Sequence, residues 1–496
     1  MVNRSTPEAD AAPSSRKRAA LLLASMSALS VWFLPLDLPT RAHHLAAIFA
    51  AVIVLWVSEA LPIAVTALLI APLMIITGVT DAKSAFAPYA DPLLFLFVGG
   101  FFIARAMTRH GLDRRIAGAL VSLPGVAGVP SRVRAAFMLA GLALSMWISN
   151  TASTAILLPI LLGTMGVSLD PPKSAPTGPE ARAVSGNLMA VAYGASLGGL
   201  GTLVGSPPNL IAARFIREAG VDFGFVEWLG VGLPTSLVLL LLLYLVMARS
   251  HPASGLTQAG ELTRDRSKLT RGEQVTALSF ALAVTGWMVP GIAKAAGASW
   301  GAPLAHALPG GAVALLATIP LFAFRAPSTS GGEPERVLPW RDAARIDWGI
   351  IMLFGGGISL GTQMLDTGLA ERIAHAIVSV TGVEGVWSLT ALMTVFTIFF
   401  TEVCSNTASA NMLVPLALAA ASDLDVSPLP PALGVGLAAS CAFMLPIATG
   451  PNAIAYGTGR IPLRSMLRTG LLLNLISAAA ILLMLRLLSG IYGWTS

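Results

Sequence analysis

The sequence is dominated by apolar runs of roughly 18–25 residues, each long enough to cross the hydrocarbon core of a bilayer as an α-helix. Short segments between the runs carry most of the charge. Of the 496 residues, 55% are apolar and 11% are charged, and the mean hydropathy is +0.76. Soluble domains carry about 25% charged residues, and barrel strands alternate instead of running continuously. The sequence therefore predicts an all-α polytopic membrane protein.

We predict about 11 transmembrane helices from these runs, because each is predominantly apolar over a spanning length. The run after the basic N-terminus is long and lacks a small-x-small cleavage site, so a first spanning helix is favoured over a cleaved signal peptide. The predicted spans are 19–36, 44–61, 63–79, 92–108, 186–214, 226–247, 274–292, 309–325, 347–365, 433–457 and 469–489.

Two other apolar stretches, 135–163 and 389–420, are interrupted at their centres by Ser-Asn-Thr. Three polar residues at mid-depth are costly for a helix that faces lipid. A helix–turn–helix that enters and leaves on one side accommodates them better. We therefore predict that both stretches are re-entrant hairpins.

The basic residues predict the orientation of the chain, because cytoplasmic segments of membrane proteins are enriched in Lys and Arg. With the N-terminus in the cytoplasm, the outer side keeps few basic residues, chiefly Arg41, Lys83, Lys294 and Arg372. An odd number of spans then places the C-terminus outside. The cytoplasmic set includes Arg105, Arg109, Arg114, Arg115, Arg132, Arg134, Arg249, Arg264, Arg266, Lys268, Arg271, Arg325, Arg336, Arg341, Arg345, Arg460, Arg464 and Arg468.

The predicted organisation places two repeats after the first helix. It consists of a cytoplasmic tail (1–18), a first transmembrane helix (19–43), repeat 1 (44–248), a cytoplasmic linker (249–272) and repeat 2 (273–496). The two cysteines, Cys404 and Cys441, lie in apolar segments and predict neither a disulfide framework nor a metal cluster.

The internal repeat is visible in the sequence itself. Ser-Asn-Thr-Ala-Ser occurs at 149–153 and again at 405–409, an offset of 405 − 149 = 256. The same offset relates Pro159 to Pro415 and Asp91 to Asp347. Downstream, the run 206–209 resembles 449–452 at an offset of 452 − 209 = 243. Pro207-Pro208 and Pro451 in these runs remove backbone donors, so we expect them to break their spans, with a simple kink as the alternative. Five spans in each repeat put the second upside-down relative to the first, which is typical of secondary transporters with a mid-membrane site.

The repeated tips have the chemistry to bind an anion and a cation. Freed N–H groups at a half-helix N-terminus attract carboxylates, and freed carbonyls bind cations. Each hairpin adds a hydroxyl four residues before the tip (Ser145 or Thr401), a tip serine and an asparagine. These oxygen ligands suit sodium. Small residues also mediate helix packing in membranes, so packing alone is the alternative for the repeated residues.

At these residues the chain resembles the divalent anion/sodium symporter family, which includes the INDY-type carriers of dicarboxylate, citrate and sulfate. The resemblance extends from about Ala19 to the end, and the run 440–454 resembles the family's C-terminal signature. It implies sodium-coupled import of a C4 dicarboxylate such as succinate or malate by a non-enzymatic carrier in the bacterial inner membrane. A homodimer is also implied, with a scaffold and a transport domain that moves like an elevator. That transport domain would comprise the hairpins, their broken partner helices and the spans starting at Asp91 and Asp347.

The resemblance also implies the site residues. Sodium ions, at two or more sites, would be held by Ser145, Ser149, Asn150, Gly198, Thr401, Cys404, Ser405, Asn406 and Ala448. Substrate would contact Ser149, Asn150, Thr151, Gly199, Ser405, Asn406, Thr407, Thr449, Gly450 and Pro451. Glu402 is an acid beside the second tip, either for proton coupling or paired within the protein. Many members have Thr-Pro-Pro-Asn where this chain has Thr449-Gly450-Pro451-Asn452, a departure that bears on substrate choice and on sodium coupling.

Other functions remain as alternatives. The sequence contains no HExxH motif for a membrane metalloprotease and no GxxxxGK[ST] motif for an ATP-driven pump. A channel, an arsenite or other anion carrier of related architecture, a sodium-independent dicarboxylate exchanger and a sulfate or tricarboxylate carrier stay open. Nothing in the charge distribution indicates a nucleic-acid partner.

Overall fold

A computed structural model describes residues 15–123, 125–126, 129–168, 170–172, 178–251, 253, 267–327 and 333–494. Most of the predicted tail (1–18) and of the predicted linker (249–272) lies outside these residues. Within them the chain is helical except for one antiparallel pair of two-residue strands, β1 (Arg325–Ala326) and β2 (Glu335–Arg336). The all-α prediction did not anticipate this small pair, which precedes the second Asp-capped span.

The first part of the chain forms helices that lead to the first hairpin. They are α1 (Ser15–Phe33), α2 (Thr40–Ser58), α3 (Ile63–Ile76), α4 (Ala82–Phe86), a 3-10 turn (Ala87–Ala90), α5 (Pro92–His110) and α6 (Leu112–Val121). The following helices carry the first polar tip and its partners. They are α7 (Pro130–Ser145), α8 (Asn150–Thr164), α9 (Pro179–Gly198), α10 (Pro207–Glu218) and α11 (Phe225–Ser250).

The second half repeats this order. Its helices are α12 (Arg271–Ala295), α13 (Gly301–Ala307), α14 (Gly310–Ala317), α15 (Ile319–Ala323), α16 (Trp340–Ala343), α17 (Trp348–Asp366) and α18 (Leu369–Thr381). The second polar tip and its partners follow. They are α19 (Val386–Phe400), α20 (Asn406–Asp423), α21 (Leu429–Ala438), α22 (Gly450–Gly457) and α23 (Leu463–Tyr492).

Six of the described helical segments are long and apolar enough to cross a membrane, and up to eight if each of two bent pairs counts as one span. The most apolar are α11 and α23, each with a mean hydropathy of 2.3. The chain is thus a multi-pass helical membrane protein. The count of about 11 stays a prediction, because α9, α10, α21 and α22 are segments of two predicted spans that the structure divides.

The repeated aspartates begin equivalent helices. Asp91 caps α5 by accepting a hydrogen bond from the Leu93 N–H at 2.8 Å, and Asp347 caps α17 by accepting one from Ile350 at 3.3 Å. A side-chain oxygen at this position satisfies an N–H that has no intrahelical partner. The match between Asp91 and Asp347 therefore reflects helix initiation.

The chain has a Gly-Gly pair at 99–100 and another at 355–356, again at the offset of 256, and these pairs allow close helix packing. A Cβ on Gly99 of α5 would lie 2.6 Å from the Cβ of Ala314 in α14, and one on Gly356 of α17 would lie 2.3 Å from the carbonyl oxygen of Ala67 in α3. Small residues let helix backbones approach in this way in membrane proteins. These glycines explain how α5 packs tightly against α14 and how α17 packs tightly against α3.

Candidate functional site

The first Ser-Asn-Thr lies at the turn between α7 and α8. These two helices cover residues 130–164, close to the limits 135–163 predicted for the hairpin. Ser149 is the N-cap of α8 and its hydroxyl accepts from the Ala152 N–H at 3.2 Å. The buried Ser145 hydroxyl donates to Oδ1 of Asn150 at 2.6 Å. Asn150 is therefore the first residue of α8, and Ser145 at the end of α7 fixes the orientation of its amide.

The second Ser-Asn-Thr lies between α19 and α20, and these helices cover residues 386–423, close to the predicted limits 389–420. Its N-cap, Ser405, makes no side-chain capping bond, but the bond to the asparagine recurs. The buried Thr401 hydroxyl donates to Oδ1 of Asn406 at 2.8 Å and lies 3.0 Å from the carbonyl oxygen of Ala439. The donor stands five residues before its asparagine in both hairpins. The sequence match at an offset of 256 is thus also a match of hydrogen bonds.

Two predicted spans, 186–214 and 433–457, are broken in the structure. The first is divided into α9 and α10 by the non-helical residues 199–206, and the second into α21 and α22 by residues 439–449. An asparagine amide closes each break by donating to two carbonyl oxygens, at 2.7 Å each in the first and 3.0 Å each in the second. The bonds run from Asn209 to Gly199 and Thr202, and from Asn452 to Ala442 and Leu445.

These two asparagine clamps share one register. The donors differ by 452 − 209 = 243, and their acceptors by 442 − 199 = 243 and 445 − 202 = 243. The offset of 243 found in the sequence therefore also relates the amide hydrogen bonds of the two breaks.

Both tips and both breaks meet at one cavity of about 510 Å³. This volume is within the range of small-molecule sites. Eleven of the residues predicted to bind substrate or sodium line it: Ser149, Asn150, Thr151, Cys404, Ser405, Asn406, Thr407, Ala448, Thr449, Gly450 and Pro451. The two halves of the chain thus contribute to a single site.

Four predicted residues do not line the cavity. Ser145 and Thr401 are fully buried behind the tips, where they hold the asparagines. Gly199 lies against Asn150, because a Cβ there would be 2.6 Å from Asn150 Oδ1. Gly198 packs on α7, since its Cβ would be 2.4 Å from the carbonyl oxygen of Leu142. These four residues support the tips from behind.

Gly205 lines the cavity, whereas Gly198 does not, and the sequence analysis did not name Gly205. Because 448 − 205 = 243, Gly205 is the counterpart of Ala448. The role of the Gly198 backbone in sodium binding stays a prediction. The offset of 243, applied from Ala448 backwards, was the signal that could have found Gly205.

Glu402 is paired within the protein. Its carboxylate accepts four hydrogen bonds of 2.7–2.9 Å, three from successive backbone N–H groups of residues 443–445 and one from the Asn474 amide. The side chain is only 4% exposed. Its counterpart in the first repeat is Met146 (402 − 256 = 146), so this anchor of the break belongs to the second repeat alone.

The lining contains neutral oxygen and amide groups together with two acids, Glu402 and Glu59. Glu59, which the sequence analysis did not single out, follows α2 and adopts a left-handed backbone with φ of 47°. None of the described lining residues is Lys, Arg or His. The described residues also contain no group of three or more His, Cys, Asp or Glu placed for a metal ion. The oxygen atoms of this lining, as metal ligands, therefore suit a hard alkali cation and not a transition metal.

Two Gly-x-Ser-x-Gly runs, 194–198 and 357–361, lie inside helices α9 and α17. Ser196 donates to the Ala192 carbonyl at 3.2 Å and Ser359 to the Ala85 carbonyl at 2.7 Å. A nucleophile elbow requires a sharp strand-to-helix turn that exposes the serine. These buried helical serines do not have that geometry.

A multi-pass helical protein with two broken helices and two polar tips around one cavity belongs to the class of membrane transporters. The chain matches the family described as the sodium:sulfate symporter transmembrane region over residues 15–494. It therefore belongs to this family, which is a family of transporters and not of enzymes.

Individual relatives agree with this assignment, and a solved structure has a similar fold. A sodium-dependent dicarboxylate transporter SdcS of Staphylococcus saprophyticus is 32% identical over 461 residues, 91% of this chain and 87% of the relative. An uncharacterized transporter of Haemophilus influenzae is 36% identical over 444 residues, 89% of this chain and 90% of the relative. The fold is similar to the Alcanivorax borkumensis YdaH transporter with a TM-score of 0.53 and 16% identity, covering 83% of this chain and 87% of that one.

Proposed function

We propose that the protein imports small C4 dicarboxylates such as succinate or malate by symport with sodium. The observation that carries this proposal is the single cavity formed by both tips, whose described lining holds acids but no basic residue. An anion with two charges is repelled by such a lining unless cations bind with it. Co-bound sodium supplies that charge, so substrate and ion binding depend on each other.

The roles of the tip residues follow from their contacts. With Oδ1 of Asn150 and Asn406 already accepting from Ser145 and Thr401, the amide NH₂ groups are left to donate to a substrate carboxylate. Thr151, Thr407 and Thr449 supply further hydroxyl donors. Ser149, Cys404 and Ser405 would contribute hydroxyl or backbone oxygens to sodium, as would the backbones of Gly205 and Ala448.

The proposed mechanism is alternating access between two inverted repeats. The cavity is lined as far as Ser58 and Glu59 at the end of α2, and as far as Ile350 near the start of α17. In the orientation predicted from the basic residues, both of these points face the cytoplasm, which corresponds to an inward-facing state. We extend the proposal to an elevator-like movement, a homodimer in the inner membrane, a cytoplasmic N-terminus and an outer C-terminus, all of which rest on the family resemblance and the charge distribution.

The relatives favour a dicarboxylate over sulfate, because SdcS of two staphylococcal species is a sodium-dependent dicarboxylate transporter by name. Counterflow in proteoliposomes tests the proposal directly. Vesicles loaded with unlabelled succinate are expected to accelerate uptake of radiolabelled succinate when sodium is present. Unlabelled malate and fumarate should compete, and sulfate and citrate should compete poorly. Acceleration that is absent with every dicarboxylate, or competition by sulfate alone, contradicts the proposal.

A further inference from the structure

The two halves of the site touch each other at Thr151 and Gly450. Thr151 belongs to the tip of the first hairpin, and Gly450 begins α22 after the break in the second repeat. A Cβ added to Gly450 would lie 2.1 Å from the Thr151 hydroxyl oxygen and 3.0 Å from both its Cβ and its Cγ2. Such distances are below van der Waals contact, so any residue with a Cβ at position 450 forces the Thr151 side chain to move.

The backbone of Gly450 does not by itself require glycine. Its φ is outside the left-handed region, since Gly450 is not among the glycines with positive φ. It occupies the first position of a helix, where proline is favoured. Its counterpart in the first repeat is indeed Pro207, because 450 − 207 = 243. The glycine is therefore explained by the contact with Thr151 and not by backbone freedom.

This glycine makes the two ends of the cavity chemically different. Gly450 has an N–H at the start of a helix, which has no intrahelical partner, and among the described residues this N–H meets no acceptor. Pro207 at the equivalent place has no N–H. The two tip threonines differ as well, because Thr151 is exposed in the cavity whereas Thr407 is 6% exposed.

We propose that Gly450 determines substrate specificity by making the Thr151 end of the cavity a recognition point for a hydroxyl on C2 of a dicarboxylate. A hydroxyl both accepts and donates hydrogen bonds. It can therefore accept from the Gly450 N–H and donate to the Thr151 hydroxyl oxygen at once, which leaves the hydrogen of Thr151 for a substrate carboxylate. A substrate without this group leaves the N–H without a protein or substrate partner. This inference rests on the proposed function and names the substrate class within it, the 2-hydroxy dicarboxylates.

Alanine at position 450 changes the site without blocking the fold. Rotation of the Thr151 side chain moves its hydroxyl away from the new methyl group, but its Cβ stays close, so the chain shifts by a few tenths of an ångström. The threonine hydroxyl is then redirected. Proline at position 450 adds the loss of the N–H, and the first helical position accepts proline.

Competition in counterflow is the test. Purified wild-type protein, Gly450→Ala and Gly450→Pro are reconstituted with sodium, and unlabelled malate and succinate compete with radiolabelled succinate. Wild type should prefer malate, and this preference should fall about three- to tenfold in both variants, which is the effect of one net hydrogen bond. Pro207→Gly, the mirror change in the first repeat, should retain the preference of the wild type.

The possible results separate this inference from the proposed function. If neither dicarboxylate competes in wild type, the proposed function fails. If both compete but the ratio of malate to succinate is the same in wild type and in Gly450→Ala, the specificity role of Gly450 is overturned.

The contact itself has a readout that does not depend on transport. Gly450→Ala should lower the unfolding temperature of the substrate-free protein in detergent, and the added change Thr151→Ala should restore part of it. This partial rescue is expected even if Gly450→Pro fails to fold. An unchanged unfolding temperature in Gly450→Ala, with an unchanged ratio, means that the contact does not constrain the site.

Discussion

The hydroxyl of Ser145 donates a hydrogen bond of 2.6 Å to Oδ1 of Asn150, and the same bond recurs 256 residues later between Thr401 and Asn406 at 2.8 Å. Each bond orients an asparagine amide towards a shared cavity. The asparagine NH₂ groups, one from each half of the chain, are then presented as donors to one anion.

Replacing either asparagine should abolish transport. Asn150→Ala and Asn406→Ala each remove one amide from the cavity, and the cavity cannot replace it from the other half. We expect sodium-dependent succinate uptake in proteoliposomes to fall to background in both, with normal elution in size-exclusion chromatography. Ser379→Ala, at an exposed position in α18, is the control and should transport normally. Uptake like that of wild type in both asparagine variants would remove this assignment.

Loss of the hydroxyl behind each tip should weaken transport in a graded way. Ser145→Ala and Thr401→Val leave the asparagine present but release its Oδ1. A net hydrogen bond contributes about 0.5–1.5 kcal/mol, and the amide that it orients is the proposed donor to the substrate. We therefore expect the succinate concentration for half-maximal uptake, at saturating sodium, to rise about two- to tenfold. Succinate titration of initial uptake rates measures this. An unchanged succinate dependence in both variants contradicts the role of these hydroxyls.

The two asparagine clamps should be equally important for the breaks. Asn209→Ala and Asn452→Ala each leave two carbonyl oxygens without their amide donor. Buried groups left unsatisfied cost about 1–3 kcal/mol each. Both variants should therefore unfold at clearly lower temperature in detergent, by similar amounts. A large effect in one and none in the other would show that the repeats are not equivalent at this point.

Glu402 should act as an anchor of the second break. Glu402→Gln keeps the size of the side chain but replaces one acceptor oxygen with a donor, which faces backbone N–H groups that also donate. We expect this variant to have lower thermal stability than the wild type. Its succinate uptake should be low at every pH tested near neutrality, from about 6 to about 8. Met146→Leu, at the equivalent place in the first repeat, is the matched control. Full uptake by Glu402→Gln at any of these pH values contradicts the anchoring role.

The sequence predicted the polar features of this fold better than its helix limits. The repeat 149–153 and 405–409 located two breaks between helices, because polar residues in an apolar run must be satisfied by a special geometry. Pro207-Pro208 and Pro451 also predicted that their spans are broken, but the apolar runs did not show at which residue each helix stops. Residues 199–206 and 439–449 are mostly small or apolar, and their breaks depend on amides of Asn209 and Asn452 from beyond the break.

Other parts of the site depend on contacts that no local pattern reveals. The partners of Glu402 come from residues 443–445 and from Asn474 in the last helix. The contact between Thr151 and Gly450 joins positions almost 300 residues apart (450 − 151 = 299). In sequence, Gly450 differed from the family pattern, but only the structure relates that difference to a neighbour. Gly205 was missed because the sequence comparison did not extend the 243 offset to backbone positions.

Succinate uptake by the purified protein in liposomes, driven by an inward sodium gradient and repeated with choline in place of sodium, shows whether transport requires sodium. Because the described lining offers an anion no basic residue, we expect uptake with sodium and background levels with choline, whether or not a proton gradient is present. Equal uptake in choline, or uptake sustained by a proton gradient alone, would rule out sodium symport.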